Sequence, residues 1–112
     1  METPKIDLLR RAMTAYTWRM QAHTSNIANL DTPNYQRVSV SFEDELQDAM
    51  RGTPSMRETE GVMPQMKVEE GPAILEDELM ELADTQMRTQ LVTRALRGHF
   101  DALRTGITGR TG

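Results

Sequence analysis

Residues 6–30, IDLLRRAMTAYTWRMQAHTSNIANL, decide how this chain folds. Ile6, Leu9, Met13, Tyr16, Met20, His23, Ile27 and Leu30 recur at alternating spacings of three and four. All but His23 are apolar or aromatic. A 3.5-residue period is the seam of a coiled coil, so the stretch predicts a helix that packs lengthwise on another helix. Thr3 as N-cap and Pro4 as first helical residue supply its start. Asp31-Thr32-Pro33 supplies its end, because proline disfavours helical backbone at the residue before it and has no amide hydrogen to donate. Residues 1–32 therefore form an N-terminal helical segment.

A second long helix is predicted from about Ala73 to Thr105, within a C-terminal segment of residues 73–112. Its apolar stripe, Leu79, Ala83, Met87, Leu91, Leu96, Phe100, Leu103 and Ile107, steps mostly by fours. Gln86, Thr89 and Thr93 dilute the competing register. Glu76, Asp77, Glu78 and Glu81 crowd the start and read as a solvated first turn. Arg94, Arg97, His99 and Arg104 crowd the end, and both placements complement the helix macrodipole. Gly98 costs about 1 kcal/mol relative to alanine in a helix interior, so it marks either close packing or a weak point.

Between them, residues 33–72 are irregular. Val38, Val40 and Phe42 alternate with polar residues, a short extended signal. Ser41 and Asp44 suit the cap of a brief helix through Met50, with Phe42, Leu46, Ala49 and Met50 on its apolar side. Residues 51–72, punctuated by Gly52, Pro54, Gly61, Pro64, Gly71 and Pro72, read as a loop. The fold class expected is mostly α: two long terminal helices in a coiled-coil hairpin with an irregular middle. Only 21 of the 112 residues are Leu, Ile, Val or Phe, while nine are Met. So small an apolar inventory offsets the conformational entropy of folding poorly, which implies a core completed by neighbouring subunits.

The absence of cysteine excludes disulfides, thiolate metal sites and thiol catalysis. A net charge of −4 and a pI near 5.1 leave no basic footprint for nucleic acid, and the acidic excess sits in residues 42–71. No run of apolar residues is long enough for a transmembrane helix. Met1-Glu2-Thr3-Pro4 lacks a secretory signal, so the chain is expected to be cytoplasmic or exported by a route that reads no such signal. His23 and His99 fall in different helices with no nearby ligand spacing, and Ser25 has neither a base nor a glycine elbow. No phosphate-binding loop is present. Neither an enzyme, a cofactor nor a metal site is expected, and Trp18 reads as a packing residue.

The segment Asn26-Ile27-Ala28-Asn29-Leu30-Asp31-Thr32-Pro33-Asn34-Tyr35-Gln36-Arg37 resembles the N-terminal signature of the bacterial flagellar rod and hook family, approximately Asn-x-Ala-Asn-x-x-Thr-Pro-Gly-Tyr followed by a basic or polar pair. Asn26, Ala28, Asn29, Thr32, Pro33 and Tyr35 match it position for position. Asn34 replaces the usual glycine, a substitution that a left-handed turn position tolerates. Ala83 to Met87 and the run through Phe100, Leu103 and Ile107 resemble the family's C-terminal helix. Hook and distal-rod members carry larger insertions, so the short chain is most similar to a proximal rod member.

This resemblance implies a structural subunit that assembles helically into the periplasmic drive shaft and transmits torque to the hook. It also implies export by the flagellar type III apparatus without a cleaved signal. The partners it implies are copies of the chain, other rod proteins, the rod adapter at the MS ring and the export gate. It further implies that the signature residues serve assembly, while the two stripes form a shared packing seam. A cytoplasmic helical-hairpin adaptor or export chaperone would explain the seams, but not the signature.

Overall fold

The computed structural model describes residues 3–43 and 63–108. Two long helices dominate, α1 (Pro4–Ala28) and α2 (Leu75–Thr108), with strands β1 (Val38–Ser41) and β2 (Gln65–Val68) between them in sequence. The hairpin is antiparallel, because His23 meets Glu78 while Met13 meets Thr93. The mostly helical, two-helix fold expected from the sequence is what forms. The molecule is elongated, with principal extents of 60 × 28 × 17 Å.

α1 starts as its sequence dictates. Thr3 Oγ1 accepts from the Ile6 amide at 3.2 Å, and Pro4 occupies the first turn, where a missing donor costs nothing. The helix stops at Ala28, with Asn29 as its C-cap. On its inner face Leu8, Ala12, Ala15, Ala22 and Asn26 are buried, one position away from the expected seam, together with Ile6, Tyr16 and His23. Leu9, Met13, Met20, Ile27 and Leu30 are half-buried. α1 is thus flanked on two sides, and the three alanines let its neighbours approach closely. Phe42, at the end of β1, fills the gap: it is fully buried against Leu8, Ala12, Ala15 and Tyr16, with Val92 of α2 packed on the same cluster.

α2 departs from the sequence reading in a specific way. The residues withdrawn from solvent follow Glu78, Leu82, Thr85, Thr89, Val92, Leu96 and His99, a regular alternation of four and three, with Asp84 and Thr93 half-buried at its margin. It is not the competing register of Gln86, Thr89 and Thr93 either, since Gln86 is exposed, but threonines do line it. Their hydroxyls are satisfied internally: Thr85, Thr89 and Thr93 each donate to the carbonyl four residues earlier, at 2.8–2.9 Å. Threonine can therefore line a helix contact without needing a partner across it. The stripe Leu79, Ala83, Met87 and Leu91 is exposed instead, and only Leu96 of that central run turns inward. Residues 100–106, including Phe100 and Leu103, are exposed, and the side chain of Ile107 lies outside the described residues. The helix runs to Thr108, so no basic residue occupies its last turn.

The middle contains more order than its composition suggests. β1 and β2 pair antiparallel, with Val38 opposite Val68 and Ser41 opposite Gln65. Residues 65–68 are therefore a strand, although that stretch reads as loop. The glycines and prolines around it hid a four-residue element whose side chains are all exposed. The expected helix over Asp44–Met50 and the loop over 51–62 lie outside the described residues.

Two outcomes follow from this packing. Phe42→Ala is expected to cost about 3–5 kcal/mol of unfolding free energy in chemical denaturation, as a large buried aromatic does. An added Cβ at Gly98 would meet nothing within 4 Å. Close intrachain packing does not explain this glycine, and Gly98→Ala should stabilise the isolated chain by up to about 1 kcal/mol.

Candidate functional site

The signature segment folds into a hydrogen-bonded turn that carries the chain from α1 into β1. Asn29 directs both its backbone amide and its side-chain Nδ2 at the Ser25 carbonyl, at 3.1 and 2.9 Å, and so uses one of the helix's loose carbonyls. Thr32 closes back on Asn29 twice, through its amide to the carbonyl and through its hydroxyl to Oδ1. The Tyr35 amide then reaches the Thr32 carbonyl at 3.2 Å, with Pro33 and Asn34 as the central residues. Asn34 has φ +64°. Proline first and a positive φ second is the pattern of a type II turn, which explains glycine in the family signature and asparagine here. Pro33 and Ala28 are exposed, the latter on the outer side of α1's last turn.

Asn26 is the inward half of the signature and is fully buried. Its Oδ1 accepts from the Val38 amide at 2.9 Å, and its Nδ2 donates to the Val38 carbonyl at 2.8 Å. The carboxamide thereby takes the place of a neighbouring peptide along the free edge of β1. Tyr35 Oη donates to the same Oδ1 at 3.1 Å and lies 2.9 Å from Ser25 Oγ. One residue type suits this post, because only a carboxamide offers donor and acceptor side by side on so short a stem.

Asn26 also bonds the group at the centre of the site, the fully buried carboxylate of Glu78. Glu78 Oε2 accepts from His23 Nδ1 at 2.6 Å and from Asn26 Nδ2 at 3.1 Å, while Oε1 accepts from Arg37 Nε at 2.6 Å. Arg37 reaches on through Nη2 to Glu81 at 3.0 Å. Burial pushes the Glu78 carboxyl upward, but the donors His23, Arg37 and Asn26 together outweigh it and hold it below the usual carboxylate range. A second pair stands beside it: Arg19 clasps Glu43 through two nitrogens and also donates to the Val40 carbonyl. That clasp lowers the Glu43 carboxyl.

Sequence reading found the signature residues but missed Glu78 and Arg37 as their partners. It treated Glu78 as part of a solvated turn, whereas the structure buries it completely. The available signal was Glu78's place at the head of the 78, 82, 85, 89, 92 series, which the brighter apolar stripe obscured. His23 and His99 are not brought together, since His23 faces the start of α2 and Thr93 already lies opposite Met13.

A family model described as "Flagella basal body rod protein" matches residues 6–36, from the first buried residue of α1 through the turn. The chain is also similar to proteins described as "Flagellar basal body rod protein FlgB". That of Bacillus subtilis (strain 168) is 25% identical, with 93% of each chain covered. That of Borreliella burgdorferi is 41% identical over 39% of this chain and 33% of the relative, and that of Borrelia hermsii is 42% identical over 40% and 33%. The chain is thus similar to flagellar rod proteins of the FlgB type. The stretch matched by the family model carries Asn26, His23 and the turn, but stops one residue before Arg37.

The site is expected to behave as a folding constraint. Glu78→Ala should cost about 3–5 kcal/mol, as when a buried ion pair loses one member. Asn26→Ala should cost about 1–3 kcal/mol for each Val38 backbone group it orphans. Because the folded Glu78 carboxyl is depressed below its ordinary value of 4.5, its contribution is complete above that value and is lost as pH falls through the depressed one. Acid titration of the unfolding free energy should show this loss in the wild type, and Glu78→Gln should lack it.

Proposed function

We propose that this chain is a structural subunit of the proximal rod of a bacterial flagellar basal body, assembling helically into the periplasmic shaft that carries torque to the hook. The similarity to FlgB proteins supports the rod role. The observation that carries the assembly mode is the apolar stripe of α2. Leu75, Leu79, Met80, Met87 and Leu91 lie on a helix whose other face already holds α1, and all are exposed. An apolar face of this extent on a small chain marks an interaction surface. Each large side chain covered on assembly contributes about 1.5–3 kcal/mol. Methionines let such a surface adapt to neighbours that are not identical. A surface that meets a different patch on the next subunit builds an open helical array and not a closed ring.

In this reading the outward stripe, with Phe100 and Leu103 beyond it, packs on copies of the chain and on other rod proteins. The half-buried residues Leu9, Met13, Met20 and Ile27 of α1, with Leu30 just beyond it, complete the shared seam. The signature turn sets the angle at which the middle segment leaves that core. The partners at the base are the rod adapter at the MS ring and the export gate, and the subunit reaches its place through the flagellar type III apparatus. No described helix is long and apolar enough to cross a membrane.

The test uses the stripe. Leu91→Asp and Met87→Asp should abolish swimming and remove the chain from purified basal bodies. They should shift the unfolding free energy of the isolated chain by no more than about 0.5 kcal/mol, as substitutions at exposed positions do. Normal motility, with the variants retained in basal bodies, would overturn the assembly surface. A wild-type chain found only in the cytosolic fraction would return the adaptor reading.

A further inference from the structure

Between α1, β1 and α2 lies a cleft of about 400 Å³, lined among others by His23, Arg37, Glu81, Asp84, Thr85 and Arg88. His23 is only 3% exposed, yet its Nε2 is buried with no hydrogen-bond partner among the described residues. The other ring nitrogen is committed. Nδ1 lies 2.6 Å from Glu78 Oε2, an acceptor, so Nδ1 is the donor, and in the neutral ring Nε2 presents a lone pair. What faces that lone pair is another acceptor, Glu81 Oε2, at 3.5 Å.

Two acceptors oppose each other across this gap, and its width discriminates among the things that could join them. A charge-assisted N–H···O⁻ bond closes to about 2.7–2.9 Å. Two ligands on a tetrahedral ion, each about 2.0–2.2 Å from it, stand roughly 3.3–3.5 Å apart. The buried carboxylate on Nδ1 has the role of the outer carboxylate that fixes tautomer and ring orientation in histidine–metal sites. Charge agrees. Arg19, Arg37 and Arg88 line the cleft against Glu43, Glu69, Glu81 and Asp84, with Glu78 behind. Five carboxylates against three guanidiniums leave −2, which a divalent cation cancels and a single proton does not.

We propose that this cleft binds one divalent transition metal ion of the zinc class, ligated by His23 Nε2 and Glu81, with Glu78 as the orienting carboxylate. His23, Glu78 and Glu81 place their ligand atoms within 4.8 Å of one another. Glu78 Oε2 already accepts from both His23 and Asn26, and Oε1 is held by Arg37, so Glu78 supports the site without entering it. Glu81 Oε2 also accepts from Arg37 at 3.0 Å, which occupies one of its two lone pairs and leaves the other for the ion. Water completes the coordination. Imidazole nitrogen with carboxylate selects zinc-like ions over calcium or magnesium, which take oxygen ligands. The ion staples α1 to α2 at the end where the signature turn leaves the hairpin.

The experiment uses the full chain, freed of metal by a chelator and then titrated calorimetrically with Zn²⁺, with Co²⁺ as a spectroscopic substitute. The expected result is saturable one-to-one binding, a visible tetrahedral Co²⁺ band and a rise of several degrees in the unfolding midpoint. Glu81 is half-exposed, so Glu81→Gln should fold and weaken binding roughly 10- to 100-fold. His23→Gln should abolish the Co²⁺ band, while His99→Gln should leave binding unchanged. Absence of saturable binding below about 1 mM, a binding free energy weaker than roughly −4 kcal/mol, would overturn the proposal. Wild-type affinity in Glu81→Gln, or loss of binding in His99→Gln, would overturn it as well.

Discussion

A carboxylate taken out of water must be paired or it unfolds its surroundings, and the buried Glu78 imposes that condition on most of this structure. Its donors come from three places in the chain: His23 and Asn26 on α1, and Arg37 just before β1. Satisfying one acidic group therefore sets the register of α2 against α1 and anchors the turn that joins α1 to the sheet. Asn26 is shared between this network and the edge of β1, so the signature's first asparagine works both in the hairpin and in the strand. The adjacent Arg19–Glu43 clasp, with its bond to the Val40 carbonyl, ties the far end of β1 to the same helix.

The helix pair divides its labour unusually. The inner contact of α2 is made by a glutamate, threonines and only a few aliphatic residues, while the more apolar side faces outward. For a protein that functions alone this arrangement would waste most of its hydrophobic surface. For a rod subunit it is coherent. Polar, geometrically specific contacts define the hairpin, and the nonspecific apolar driving force is reserved for neighbours. The same division accounts for the low content of large aliphatic residues, because α1's alanines and α2's threonines make a close contact without bulk.

The existence and direction of both helices, the cap at Thr3, the stop before Pro33 and the extended run at Val38–Ser41 were legible in the sequence. Each depends on local backbone chemistry or on a repeating apolar pattern. The signature residues were legible as a group too, through their resemblance to the rod family. Their separate tasks were not: Asn29 caps a helix, Asn34 holds a left-handed turn position, and Asn26 reaches across to a strand. Strand β2 escaped notice because four exposed residues carry no alternation of burial to read.

By itself, then, the sequence determined to within a few residues where the helices begin and end, that two apolar faces exist, and that a rod-type turn joins the first helix to the middle segment. Only the tertiary structure decided which face of α2 meets α1, and that Glu78 is buried while Leu79 is not. The physical reason is that hydrophobicity reports what a side chain would gain by burial, not which partner will supply it. A threonine satisfied by its own helix and a carboxylate satisfied by three distant donors both look like surface residues until those partners are in place.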